Sequence, residues 1–346
     1  MPPFFSCFTV SVLNAMRKIV FLILAGLLVM SACRNNEKRY KRADISDVTI
    51  EQVEILRYEE ALFNLSPDNL AEGLDSLKKR YRFFLGDNPA APAHIKRMRN
   101  YLEDPLLKEI YATTREKYKT LNNTEKELTR MFRYFKYYFP NKETPEVYTY
   151  ISGIDYRRPI QYYDSVMIIA LDMYLGSDFD AYRKVNIPHY KTQTFNKEYI
   201  SVDAANSIAE TLIEPRKPEG RFIDHMIHYG KRLYFKDALL PNTPGHLKIK
   251  YTPEQLKWCQ ANEKNIWTFM VENDLLFSGK YNDFKKLLSP GPFTSEFGKE
   301  SAPRIGRWVG WQIARGFMNN NPDISLEQFM KLQNSQKILK QSKYKP

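Results

Sequence analysis

The side chains able to do chemistry in this chain are five histidines, three cysteines and many carboxylates, and their spacing decides what they can do. None of His94, His189, His225, His228 and His246 stands in H-E-x-x-H. That pattern would put two imidazoles on one helix face beside a general-base glutamate. His225 and His228 come nearest, because an i,i+3 pair shares a face. Helical spacing puts Arg221 and Arg232 on that face too, and two guanidiniums oppose a dication. Phe222, Met226 and Leu233 take the apolar side, so the histidines read as a polar stripe, with no metal ligand or cofactor expected. Cys259 is a lone thiol on a helix, no G-x-S-x-G elbow exists, and Gly291 and Gly298 lie in no phosphate-cradling frame. Asp155, Asp164 and Asp172 could be paired in space; for Asp172, which follows a strand, a turn-capping role is favoured. An enzyme reading needs Asp172, Glu210 and His228 to converge in one cleft. No catalytic residue is assigned.

The remaining thiol has a different setting. Met16-Arg17-Lys18 is followed by an eleven-residue apolar run, Ile19–Val29, and then by Met30-Ser31-Ala32-Cys33. A cationic start, a short apolar stretch and small residues at a cut site are the parts of a secretory signal. The run is too short to span ~30 Å of hydrocarbon, which needs ~20 residues. Met30–Cys33 resembles the lipobox of bacterial lipoproteins, with Met30 where Leu is usual. The resemblance implies that Cys33 carries lipid and becomes the mature N-terminus. Two or more acyl chains, at ~0.8 kcal/mol per buried CH₂, hold a protein stably on a membrane. Residues 1–15 contribute no positive charge, so Met16 is the expected start. Cys7 precedes the cut, which leaves Cys259 with no intramolecular partner and a fold resting on its core.

The elements that must position these groups can be read from periodicity. Residues 1–32 are the signal peptide, 33–47 a charged tether, and 48–346 one globular domain. Val48–Arg57 is a candidate strand, Asp68–Phe84 a helix, and His94–Asn122 two helices about Asp104-Pro105. Thr124–Phe139 is a helix, with Thr124 as cap and Glu127 closing a capping box. Val147–Ser152 and Ser165–Leu171 are the best strands. Beyond residue 200 the pattern is helical: Ser201–Ile213, Glu219–Lys236, Thr252–Val271, Pro303–Asn319 and Ser325–Lys337. The fold class is α+β, a mostly helical single domain with a small β-sheet. Gly306 and Gly310, four apart on a helix, would let another element approach closely, with Trp308 and Trp311 supplying bulk; this reads as packing in preference to a partner groove.

Composition agrees with a large core: 43% of residues are hydrophobic, and 23 Tyr and 21 Phe bring much buriable area. The net charge of +12 comes from 52 basic residues interleaved with 40 acidic ones. Nucleic-acid binders cluster their charge, so no nucleic-acid partner is expected, and an anionic lipid surface is the more natural one.

Four stretches carry a family likeness: Val147–Gly176, Phe222–Pro241, Tyr251–Trp267 and Ala302–Ala314. With the lipobox, they resemble the gliding-motility lipoprotein GldB family of the Bacteroidetes. The likeness implies a cell-envelope protein on the periplasmic side, with envelope partners, that supports gliding motility or the type IX secretion machinery or an equivalent in a bacterium that does not glide. The aromatic and Gly-Trp surfaces would be its contact candidates. A second layer is similar to zincin-like peptidases, which carry H-E-x-x-H on the helix equivalent to Ser201–Ile213 and an acid near Tyr229. Here all those ligands are missing, so the resemblance implies a zincin-like scaffold without metal or catalysis. The alternative is an envelope hydrolase or peptidase with an unrecognised site.

Overall fold

The computed structural model describes residues 43–215 and 219–346. The expected signal peptide, the expected start at Met16, Cys33 and most of the expected tether lie outside the described residues. The first elements are β1 (Ile55–Arg57), α1 (Tyr58–Phe63), α2 (Leu70–Leu77) and α3 (Arg82–Leu85). Next come α4 (Pro92–Glu103), α5 (Pro105–Lys117) and α6 (Asn122–Tyr138). Three strands follow: β2 (Glu146–Tyr150), β3 (Ile160–Tyr162) and β4 (Val166–Ala170). Two short helices, α7 (Asp180–Lys184) and α8 (His189–Thr192), lead to α9 (Ile200–Leu212) and α10 (Phe222–Leu239). The chain continues through α11 (Gly245–Ile249), α12 (Pro253–Ala261), α13 (Glu263–Glu272) and α14 (Tyr281–Leu288). It closes with α15 (Ile305–Asn320), α16 (Leu326–Lys331) and α17 (Ser335–Ser342).

The sheet runs in the order β1-β2-β4-β3, with β1, β2 and β4 parallel and β3 antiparallel to β4. Val147 pairs with Met167 and Thr149 with Ile169, while Tyr148 pairs with Ile168. Because side chains alternate along a strand, Tyr148 and Ile168 share one face. That face packs on Tyr58, Leu62, Leu70, Leu74, Tyr81, Leu85 and Leu102 from α1 through α4. Val147, Met167 and Ile169 point the other way and are equally buried. Both faces are therefore covered, as a mainly parallel sheet requires. The described chain is an α+β single domain, mostly helical with a small mixed sheet, as its periodicity predicts.

Several boundaries differ from the sequence reading. The strand expected over Val48–Arg57 shrinks to three residues. Before and at its start, Val53 N donates to Thr129 Oγ1 and Ile55 N to Glu125 Oε1, each at 3.0 Å, so α6 side chains take groups a strand partner would use. Asp68–Phe84 is two helices, broken between Lys78 and Tyr81. Thr124 is no cap: α6 starts two residues earlier, after Leu121, with no side-chain cap bond. Thr252–Val271 divides at Asn262, whose Nδ2 donates to Trp258 O at 2.9 Å. Ser325–Lys337 divides at Leu332–Asn334. Thr252 caps α12 in a reciprocal box with Gln255. Asp104 likewise caps α5 by accepting from Leu107 N at 3.0 Å.

The tightest contact lies between α10 and α15. A Cβ on Gly310 would meet Met226 O at 1.9 Å, and one on Gly230 would meet Gly310 O at 2.1 Å. Gly306 faces the Phe222 ring in the same way. The glycine spacing on α15 thus serves packing. Trp308 and Trp311 are 2% and 1% exposed, so the Gly-Trp segment is core and offers no contact surface. Large aromatics that do reach solvent include Phe83, Tyr163 and Phe277.

Candidate functional site

The residues proposed for catalysis do not come together. Asp172 is wholly buried and accepts from Ser152 N at 2.9 Å, Ser152 Oγ at 2.8 Å and Ile154 N at 2.8 Å. It caps the turn after β2, and burial pushes its carboxyl above the usual range. Glu210 pairs with Arg232 and accepts from Asn206. His228 stacks edge-on to Tyr229 and lines a different cavity from Glu210. Asp164 is held below its usual range by Lys142, at 2.7 Å. His225 corrects the polar-stripe reading. It is fully buried, with Nε2 at 2.9 Å from Gly220 O and its ring against Phe284. Arg221 instead pairs with Asp224, whose carboxylate accepts from Arg221 N at 3.0 Å and from its Nε at 3.2 Å. Burial raises the Cys259 thiol, which suits an inert core residue.

Side chains that the sequence did not single out do converge. A cleft of about 1080 Å³ opens between the β2–β3 loop, the segment from α8 to α9, and the α11–α12 and α14–α15 connections. Its walls include Tyr156, Tyr190, Phe195, Tyr199 and Tyr251, with His189 and His246 beside them. At Lys250 and Arg304 it meets a smaller cavity of about 180 Å³. That cavity is lined by Arg232, Lys236, Lys248, Lys250, Arg304 and Arg307, against one carboxylate, Asp203, among its described residues. Helix α9 supplies Asp203 and Asn206, α10 supplies Tyr229, Arg232 and Lys236, and the start of α15 supplies Arg307.

Three of these cations have carboxylate partners. Lys250 Nζ lies 2.7 Å from Asp203, Lys248 Nζ 2.9 Å from Asp237, and Arg232 pairs with Glu210. Lys236, Arg304 and Arg307 have none among the described residues. Lys236 Nζ donates to Lys248 O at 2.9 Å, and burial drives its pKa well down. Arg304 Nη2 donates to Ile249 O at 3.1 Å and Lys250 O at 2.8 Å. Arg307 Nε donates to Leu288 O at 2.9 Å, and burial lowers its pKa to about 10. Tyrosine faces stand where carboxylates would be expected. The Arg307 guanidinium sits 3.9 Å from the Tyr229 ring centre, and Arg304 and Lys250 sit over Tyr251 and Tyr199. Lys250 and Arg304 both adopt left-handed backbone, φ 58° and 56°, which costs non-glycine residues energy.

A family model for gliding motility protein GldB matches residues 38–346, nearly the whole chain. The chain belongs to the GldB family. No curated protein and no solved structure matches it, so the expected zincin likeness rests on sequence alone. GldB-family membership covers all four stretches that carry the likeness in the sequence, and the cationic cavity draws on two of them, Phe222–Pro241 and Ala302–Ala314. No helix among the described residues is long and apolar enough to cross a membrane. Sequence reasoning missed the cavity because its cations are spread from position 232 to 307; the pair Arg304 and Arg307, an i,i+3 step in Ala302–Ala314, was the available signal.

Proposed function

We propose that this GldB-family chain is a lipid-anchored, non-catalytic envelope protein that supports the gliding machinery or its counterpart, held to a membrane through Cys33. The observation that carries the non-catalytic part is the charge at the cavity. A zincin would place metal ligands on α9 and an acid near Tyr229. Here α9 offers Asp203 and Asn206, and Lys250 already neutralises Asp203. Arg232, Arg304 and Arg307 share the space. Each unit charge at ~4 Å from a like unit charge costs about 4 kcal/mol at an effective dielectric of 20, and a dication doubles it. The site favours anions over metal. The anchor is supported by the lipobox and by the family match, which begins just past Cys33.

Metabolic labelling with a fatty-acid probe is expected to mark the wild type and not Cys33→Ser, which should also leave the membrane fraction. An unlabelled wild type would overturn the anchor. Purified protein is expected to carry no zinc and to show no chelator-sensitive hydrolysis; stoichiometric zinc would overturn the non-catalytic reading. Crosslinking in the native host should attach envelope proteins.

A further inference from the structure

We propose that the cavity between α9, α10, α11 and α15 binds the phosphate of a phosphomonoester, with Arg304 and Arg307 as principal ligands and the tyrosine-walled cleft taking the rest of the molecule. This goes beyond the anchored-scaffold reading and does not depend on the lipid.

Two observations carry it. The first is charge balance: Lys236, Arg304 and Arg307 have no carboxylate partner among the described residues, while the cavity's one carboxylate is taken by Lys250. Burying unpaired guanidinium is costly unless something anionic completes it. Tyrosine faces offset part of that cost and leave the net charge standing. A surplus of two guanidiniums matches a phosphomonoester dianion better than a single carboxylate.

The second observation is an orphan donor. Arg304 Nε is buried and has no hydrogen-bond partner, although the same guanidinium's Nη2 is bonded to Ile249 O and Lys250 O. A buried N–H of this kind is uncommon and points to a ligand group. The residue lines both the cavity and the cleft. It also immediately precedes the sixteen-residue α15, whose N-terminal end adds positive potential at the same place. The larger cleft then gives an organic moiety aromatic faces at Tyr156, Phe195, Tyr199 and Tyr251.

The phosphate could belong to a soluble metabolite or to a lipid headgroup, and titration separates them. Full-length protein in detergent would be titrated with inorganic phosphate, glycerol 3-phosphate, dihexanoyl phosphatidic acid and acetate. Phosphate is expected to bind with a Kd of about 1 mM or tighter. Tighter binding of glycerol 3-phosphate supports a soluble ligand, and tighter binding of the short-chain phosphatidic acid supports a headgroup. Arg307→Gln and the charge-keeping Arg304→Lys should each weaken phosphate at least ~10-fold, about 1.4 kcal/mol. Lys286→Gln, at an exposed ion pair outside the cavity lining, should leave it unchanged. If Arg304→Lys does not fold, Arg307→Gln decides alone. Absence of phosphate binding, acetate binding as tightly, or full affinity in Arg307→Gln would overturn the proposal.

Discussion

Replacing Asp172 by asparagine keeps the side chain's shape but turns one acceptor into a donor. Three donors, Ser152 N, Ser152 Oγ and Ile154 N, aim at its two oxygens. At least one would then face an N–H₂ group in a site with no solvent. Asp172→Asn is expected to cost about 1–3 kcal/mol, read as a lower urea midpoint with an unchanged slope. Ile154, held at φ 69°, depends on this carboxylate to keep its turn. The same logic separates the histidines. His225 is core because its ring packs on Phe284, a contact that spacing along one helix does not reveal. Sequence position favoured a turn-capping role for Asp172; the turn it caps follows β2 and not its own strand β4, a pairing that only the parallel β2–β4 ladder brings about.

Among the elements, α10 and α15 approach so closely that backbone meets backbone. Gly310→Ala would place a methyl about where Met226 O sits, and no side chain can yield there. A loss of about 3 kcal/mol or more is expected, the upper part of the overpacking range, measured by chemical denaturation. The α10–α16 contact gives a pH dependence. Lys231 Nζ donates to Met330 O, at 3.1 Å, and to Leu332 O, and burial lowers its pKa to about 8. In the unfolded chain it returns to 10.5. The unfolded state thus holds more protons between those values, and stability from this group rises as pH climbs through them. The stability of wild type relative to Lys231→Met should therefore increase from pH 8 to 10.5. A pH-independent difference would show that the ammonium does not lose its proton on folding.

Across the whole molecule, one buried carboxylate ties the cationic region to the core. Asp237 accepts from Trp311 Nε1 at 2.7 Å and Arg315 Nε at 2.7 Å, and pairs with Lys248. Burial opposes its ionisation, but Arg315 and Lys248 prevail and hold the carboxyl below its usual range. Asp237→Asn would leave two cations under-compensated and should cost about 3–5 kcal/mol, seen as a large fall in thermal midpoint. The amino-acid sequence by itself determined the fold class, the strands β2 and β4, the split at Asp104-Pro105 and the family, because each rests on local periodicity, capping chemistry or ordered motifs. It also marked Gly306 and Gly310 as packing positions, since small residues one helical turn apart make a flat stripe. The strand β3, the breaks at Asn262 and Leu332, and the burial of His225 and Trp308 were decided only in three dimensions. So was the cavity, whose cations come from α10, α11 and α15 and mean little until those helices pack. Local rules see neighbours along the chain, whereas charge balance in a buried site is a sum over segments that only tertiary contacts bring together.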